Sequence, residues 1–187
     1  MKVIGITGYA GSGKSTIAKI LKNLGYYIID LDEVGHLLLK DKKIIERLVD
    51  LFGKNILKNN QINRNSLAQI VFSSNEKLEL LNSLLHPKIK QYVINEINNS
   101  QEDIIFIDGA LIEKIGLDEI CDYIILIDSP EDLRLKRLIN YRGLSYEKAK
   151  NILNSQKDLS FTYDFKIIND GSLERIKKDL VRIINDF

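Results

Sequence analysis

The stretch GITGYAGSGKST, residues 5–16, decides how this chain is read. Within it, Gly8-Tyr9-Ala10-Gly11-Ser12-Gly13-Lys14-Ser15 fits the pattern G-x-x-x-x-G-K-[ST] without a mismatch. Glycines let the backbone curl so that successive N–H groups turn inward, and a helix starting near Lys14 adds the positive end of its dipole. Both features favour a polyphosphate. In this reading Gly8, Gly11, Ser12 and Gly13 form the cradle and Lys14 reaches the β- and γ-phosphates. Ser15 offers its hydroxyl to Mg²⁺, an ion that prefers oxygen ligands and keeps several waters. Thr16 helps hold the α-phosphate.

Working outward, the loop follows an apolar run, Val3–Thr7, and four similar runs come later: Tyr26–Asp30, Ile104–Asp108, Tyr123–Asp128 and Phe165–Asn169. Most are apolar throughout rather than alternating, as befits strands buried on both faces of a parallel sheet. Helical stripes lie between them. Ile17, Ile20, Leu21 and Leu24 are spaced i, i+3, i+4, i+7 with Gly25 as a stop, and Leu173, Ile176, Leu180, Ile183 and Ile184 repeat the pattern. The sum predicts an α/β fold with a doubly wound, parallel five-stranded sheet.

One connection is far longer than a crossover helix needs. From Glu33 to Asp103 no convincing strand is visible, while Leu78, Leu81 and Leu85, and then Ile89, Val93 and Ile97, form helical stripes. We read the chain as one domain of core 1–32 and 103–187, with a helical lobe inserted at about 33–102 and a lid at about 131–150.

Composition narrows the function. The net charge is +1, which argues against a broad nucleic-acid or membrane surface. No apolar run approaches the roughly 20 residues that cross a bilayer. A single cysteine, Cys121, excludes an internal disulfide and points to a reducing, cytoplasmic setting. The expected partner is therefore a small molecule, bound by a monomer or weak homo-oligomer.

In open parallel sheets ligands bind beyond the carboxyl ends of the strands. Those ends carry Asp30, Asp108, Asp128 and Asn169, and Asp32 follows just outside the sheet. A carboxylate at Asp32 can accept a proton from an attacking hydroxyl, orient it, or assist Mg²⁺ through water. Asp30 or Asp108 suits the metal's outer shell; Asp128, before SPED, suits a helix cap. In EDLRLKRLINYRGLS (131–145), Arg137 and Arg142 suit the charge that develops on a moving phosphoryl group. Arg134 and Lys136 read better as a solvated basic face. An N-K-x-D guanine motif and an L-S-G-G-Q signature are both absent, which leaves a small-molecule kinase ahead of a nucleotide switch or a transporter ATPase.

Taken together these segments resemble the dephospho-CoA kinase family over nearly the whole chain. The similarity runs through IGITGYAGSGKSTIAKIL, IIDLDEVGH, INRNSLAQIVF with Arg64, LLHPKI with His86, GALIEKIGLDEICDYIILI, RLINYRGLSYEKAKNILNSQ with Gln156, and YDFKIINDGS with Asn169. The resemblance implies phosphorylation of the ribose 3′-hydroxyl of dephospho-CoA by ATP with Mg²⁺. It implies Asp32 as base or hydroxyl-orienting group, and Lys14 with Arg137 or Arg142 as stabilisers of the phosphoryl. It puts Asn169 and its neighbours beside the adenine of ATP, and Arg64 and His86 on the acceptor side. His86 before Pro87 also reads as a helix start. The chain departs from the family pattern at His36 and Tyr141, where arginine is common, and at Gly109, where proline is usual.

Overall fold

The computed structural model describes residues 1–157 and 159–187. They form two compact units, one of Met1–Ile29 with Gln101–Phe187, the other of Asp30–Ser100. The central sheet has five strands: β1 (Lys2–Gly8), β2 (Tyr27–Asp30), β5 (Ile104–Asp108), β6 (Tyr123–Asp128) and β7 (Phe165–Ile168), in the order β2-β5-β1-β6-β7. β1 runs parallel to both β5 and β6, and β6 to β7. The registers Ile6↔Asp108, Gly8↔Ile127 and Asp128↔Ile168 bring the carboxyl ends of these strands to one rim. After β1 the chain winds to one side of the sheet and later to the other, so this rim beside β1 is where ligands bind in such sheets.

The first unit's helices are α1 (Lys14–Asn23), the short α6 (Ile112–Ile115), α7 (Glu131–Asn140), α8 (Tyr146–Ser155) and α9 (Leu173–Asn185). Ile17, Ile20 and Leu21 of α1 and Ile176, Leu180, Ile183 and Ile184 of α9 join Ile4, Ile6, Phe106, Ile125, Ile127 and Ile167 of the sheet in one core. Strands that are apolar on both faces are explained by this cover, since a half-covered sheet would alternate. The expected stripe members Leu24 and Leu173 lie outside it, at 52% and 54% exposed, because α1 ends at Asn23 and α9 begins at Leu173.

The second unit holds α2 (Leu31–Leu38), α3 (Lys42–Phe52), α4 (Arg64–Val71) and α5 (Asn75–Asn99) around Ile44, Leu48, Ile56, Leu67 and Val71. Asp30, Asp41 and Asn63 cap α2, α3 and α4, each accepting two backbone N–H groups. Asp30 is thus a helix cap, the bland alternative to a metal-shell role. This unit contains an antiparallel hairpin, β3 (Leu57–Lys58) and β4 (Gln61–Ile62), where the sequence showed no strand. Its signal was Asn59-Asn60, both at positive φ (52° and 59°), the geometry of a two-residue hairpin turn that asparagine tolerates. The helix-start reading of His86 is corrected: His86 and Pro87 lie inside α5. Pro87 removes one helical hydrogen bond. Packing carries the helix across it, through Leu81, Leu84 and Leu85 before the proline and the buried Ile89, Val93 and Ile97 after it.

No helix among the described residues is long and apolar enough to cross a membrane. Ile125 is fully buried at the middle of the sheet. Replacing it with alanine is expected to lower the unfolding free energy by about 2–5 kcal/mol, seen as a shift of the urea midpoint at unchanged slope.

Candidate functional site

A loop that turns its amides inward must turn its carbonyls outward, and each carbonyl then needs a donor. Here the donors are identifiable one by one. Lys14 Nζ donates to Gly8 O at 2.8 Å. Ser12 N donates to Tyr9 O at 3.1 Å. Arg134 Nε donates to Ala10 O at 3.0 Å. Arg137 Nη1 donates to Gly11 O and Ser12 O at 3.3 and 3.2 Å, and Asn169 Nδ2 donates to Ser12 O at 2.8 Å. Thr16 N and Ile17 N close on Gly13 O as α1 begins. The N–H groups of Gly11, Gly13 and Ser15 have no partner among the described residues, which leaves them for a ligand.

The glycines answer to the same crowding. A Cβ on Gly8 would lie 2.1 Å from Ile127 O, and one on Gly13 would lie 2.2 Å from Asn169 Nδ2, with both residues at positive φ. Any side chain would therefore break the loop's seating as well as strain its backbone. The Ser12 side chain is fully buried, and its hydroxyl has no hydrogen-bond partner among the described residues. An orphaned polar atom, open amides and a lysine together fit a polyphosphate.

Arg134 corrects the expectation of a solvated face. It is 9% exposed, and burial holds its basicity below the ordinary guanidinium value while Asp128 pulls the other way. Its guanidinium lies over the Tyr9 ring, 4.4 Å from the centroid, and Nη2 donates to Gln156 Oε1 at 2.9 Å. The same Gln156 oxygen accepts Ala10 N–H at 2.9 Å. Tyr9 in turn meets Phe161 edge-on at 4.9 Å and donates its hydroxyl to Leu159 O. Tyr9 and Ala10, two of the four unspecified positions of the loop pattern, are thereby fastened to α7 and to the chain after α8. The signal was present in the sequence. Arg134 and Arg137 are three residues apart, so an α7 that turns one toward the loop turns both. Lys136, on another face, is exposed as expected.

Arg137 has more partners than the loop alone. Nη1 also donates to Ser129 Oγ, and Nη2 donates to Asn169 O and Oδ1. Asn169, 4% exposed, has its amide nitrogen on Ser12 O and its amide oxygen on Arg137 and Gly171 N–H. The Asn169 side chain is thereby a buttress under the loop, and the exposed residues of that rim are its neighbours Asp170 and Gly171. Asp128 accepts Ser129 N–H and pairs with Lys166 at 2.7 Å, which raises the Lys166 ammonium above its ordinary value. The cap position of α7 itself belongs to Pro130. Asp108 is buried at the end of β5. Arg142, past the end of α7, is exposed and has no partner among the described residues. Tyr141 beside it is 85% exposed.

The second unit holds the other expected site residues. Asp32 is exposed in the first turn of α2, its backbone N–H on Asp30 Oδ1 at 2.9 Å. Arg64 opens α4 and meets His36 of α2. His86 is half-buried on α5. Among the described residues no three His, Cys, Asp or Glu side chains cluster to hold a metal. The Ser15 hydroxyl, exposed at the start of α1, is the kind of oxygen donor that suits Mg²⁺. Cys121 supplies no thiolate. Burial, with Asp118 and Asp122 nearby, pushes its thiol up to about 12, and Sγ donates to Leu117 O.

A family model described as dephospho-CoA kinase matches residues 2–174. A dephospho-CoA kinase of Carboxydothermus hydrogenoformans is 35% identical over 192 residues, covering 98% of this chain and 93% of that protein. One from Borrelia garinii is 38% identical over 197 residues, covering 98% and 95%. The solved dephospho-CoA kinase from Campylobacter jejuni superposes with a TM-score of 0.73 at 29% identity, covering 100% and 97% of the two chains. Shikimate kinase from Bacteroides thetaiotaomicron, at 16% identity and TM-score 0.54, shares the fold.

Removing the donor that seats Ala10 should loosen the loop. Arg134→Ala is expected to raise the dissociation constant for Mg-ATP about tenfold, as loss of a charge-assisted hydrogen bond implies, measured by calorimetry. Arg134→Lys should recover little of it, since an ammonium cannot serve two acceptors and stack on Tyr9 at once.

Proposed function

Because this chain belongs to the dephospho-CoA kinase family, we propose that it transfers the γ-phosphoryl group of ATP to the ribose 3′-hydroxyl of dephospho-CoA, forming CoA. The observation that carries the proposal is the phosphate loop, with its open amides and its carbonyls fastened from behind. Family membership makes ATP the co-substrate and dephospho-CoA the acceptor. The setting we propose is cytoplasmic.

Each residue then has a task. Gly11, Gly13 and Ser15 offer N–H groups to phosphate oxygens, and Lys14 and Thr16 flank them. Ser15 would hold Mg²⁺, which supplies neutralisation of charge on the β- and γ-phosphates. Arg137 contributes a fixed positive charge under the loop, because its guanidinium is held by neutral acceptors. Arg142, exposed and unengaged among the described residues, is the arginine we assign to the phosphoryl group itself. Asp32 orients the acceptor hydroxyl or takes its proton, aided by a backbone pinned through the Asp30 cap. Arg64 and His86 belong to the acceptor side. Asn169 acts by holding Ser12 and Arg137, and its neighbours Asp170 and Gly171 border the adenine. The protein's contribution is positioning and electrostatic stabilisation, with no covalent intermediate on the chain.

The direct test is the mass of the product after incubation with dephospho-CoA and Mg-ATP. A gain of one phosphoryl group, with ADP released, is expected; ADP released only with a nucleoside or another small alcohol would move the chain to a different acceptor. Lys14→Ala should abolish turnover. Asp32→Asn should lower kcat by about 10²-fold or more while Mg-ATP affinity is kept, and a retained rate would remove Asp32 from the chemistry.

A further inference from the structure

We infer that His36 is a positioning residue that aims Arg64 at the diphosphate of the acceptor. The inference rests on the function proposed above and deepens it on the acceptor side. Its basis is one contact, Arg64 Nη1 to His36 Nε2 at 2.5 Å, between the last turn of α2 and the first residue of α4. A guanidinium has only donors. Nε2 must therefore present its lone pair, which makes the imidazole neutral with its proton on Nδ1. Neither side chain has another hydrogen bond or ion pair among the described residues.

The chemistry of that partner is the telling point. A carboxylate would orient Arg64 and also cancel its charge. A neutral imidazole orients the guanidinium and leaves the charge whole. One Nη1 hydrogen is used, and the Nε and Nη2 donors remain for a bidentate grip on phosphate oxygens. The main chain beneath is equally fixed, since Asn63 caps α4 through the N–H groups of Asn65 and Ser66. An exposed arginine that is held in place but not neutralised is a receptor for an anion. Of the two substrates, dephospho-CoA is the one this lobe is proposed to take, and the anionic group it carries is a diphosphate.

The test separates His36 from Arg64 and both from the reaction. Acceptor and Mg-ATP are each titrated at saturation of the other in the wild type, His36→Ala, His36→Gln, Arg64→Ala and the double alanine variant. Binding of dephospho-CoA is measured in parallel by calorimetry. Both residues are exposed, so the variants should fold, and unchanged urea midpoints would verify it. His36→Ala should raise KM and Kd for dephospho-CoA about tenfold, with kcat and the KM for ATP unmoved. His36→Gln, whose carbonyl also accepts from Arg64, should stay within about threefold of the wild type, and the double variant should be no worse than Arg64→Ala. Unaltered acceptor affinity in His36→Ala, beside a loss in Arg64→Ala, overturns the role of His36 and leaves Arg64 on the acceptor side. Unaltered affinity in Arg64→Ala, in an enzyme that still makes CoA, overturns the inference and leaves the reaction standing. A wild type that makes no CoA overturns the functional reading, and the inference with it.

Discussion

The structure depends on satisfying the carbonyls of the phosphate loop. Inward amides are useless unless the outward oxygens find donors, because an unpaired buried carbonyl costs as much as the ligand contact would contribute. The chain solves this mostly with side chains distant in sequence, Arg134 and Arg137 from α7 and Asn169 from the end of β7, joined by Lys14 from the loop's own helix. This ties the sheet order to the site. β7 lies beside β6, and β6 beside β1, so Asn169 arrives next to Ser12. The loop is therefore held in its binding shape before any ligand arrives, which is how preorganisation lowers the cost of binding.

The parts of this arrangement that follow local rules could be read from the sequence. The five strands stand where continuous apolar runs placed them, to within a residue or two at their ends, because a strand covered on both faces leaves an unmistakable pattern. The phosphate loop was equally plain, since its glycines are required by steric contacts as close as that of Gly8 with Ile127 O. What could not be read is what depends on a partner far along the chain. Arg134 looks like any exposed helix cation until Gln156 and Tyr9 are known to be its neighbours. Asn169 looks like a rim residue until Arg137 claims its side-chain oxygen. The hairpin of β3 and β4 is too short for periodicity to show, and its sign was the conformation of Asn59 and Asn60 rather than any apolar pattern. Pro87 misled in the opposite direction, because a local rule that ends helices was overridden by apolar packing on both sides of it.

Two groups of cations differ in the company they keep. Lys150 pairs with Glu131, Lys166 with Asp128, Arg175 with Asp170 and Lys2 with Asp122. These pairs cancel their own charge, and where exposed they add little to stability. Arg134, Arg137 and Arg64 are held otherwise. Their hydrogen bonds go to carbonyls, a glutamine, an asparagine, a serine hydroxyl and an imidazole, all neutral. Such acceptors fix a guanidinium in place without spending its charge. In a chain whose net charge is only +1, a local positive field depends on where the charges sit and on what they pair with. Leaving a positioned cation uncancelled is one way to create it. Two of the arginines held in this way stand behind the phosphate loop and the third stands on the lobe that the family resemblance assigns to the acceptor, and each is fixed in place by partners that do not cancel its charge.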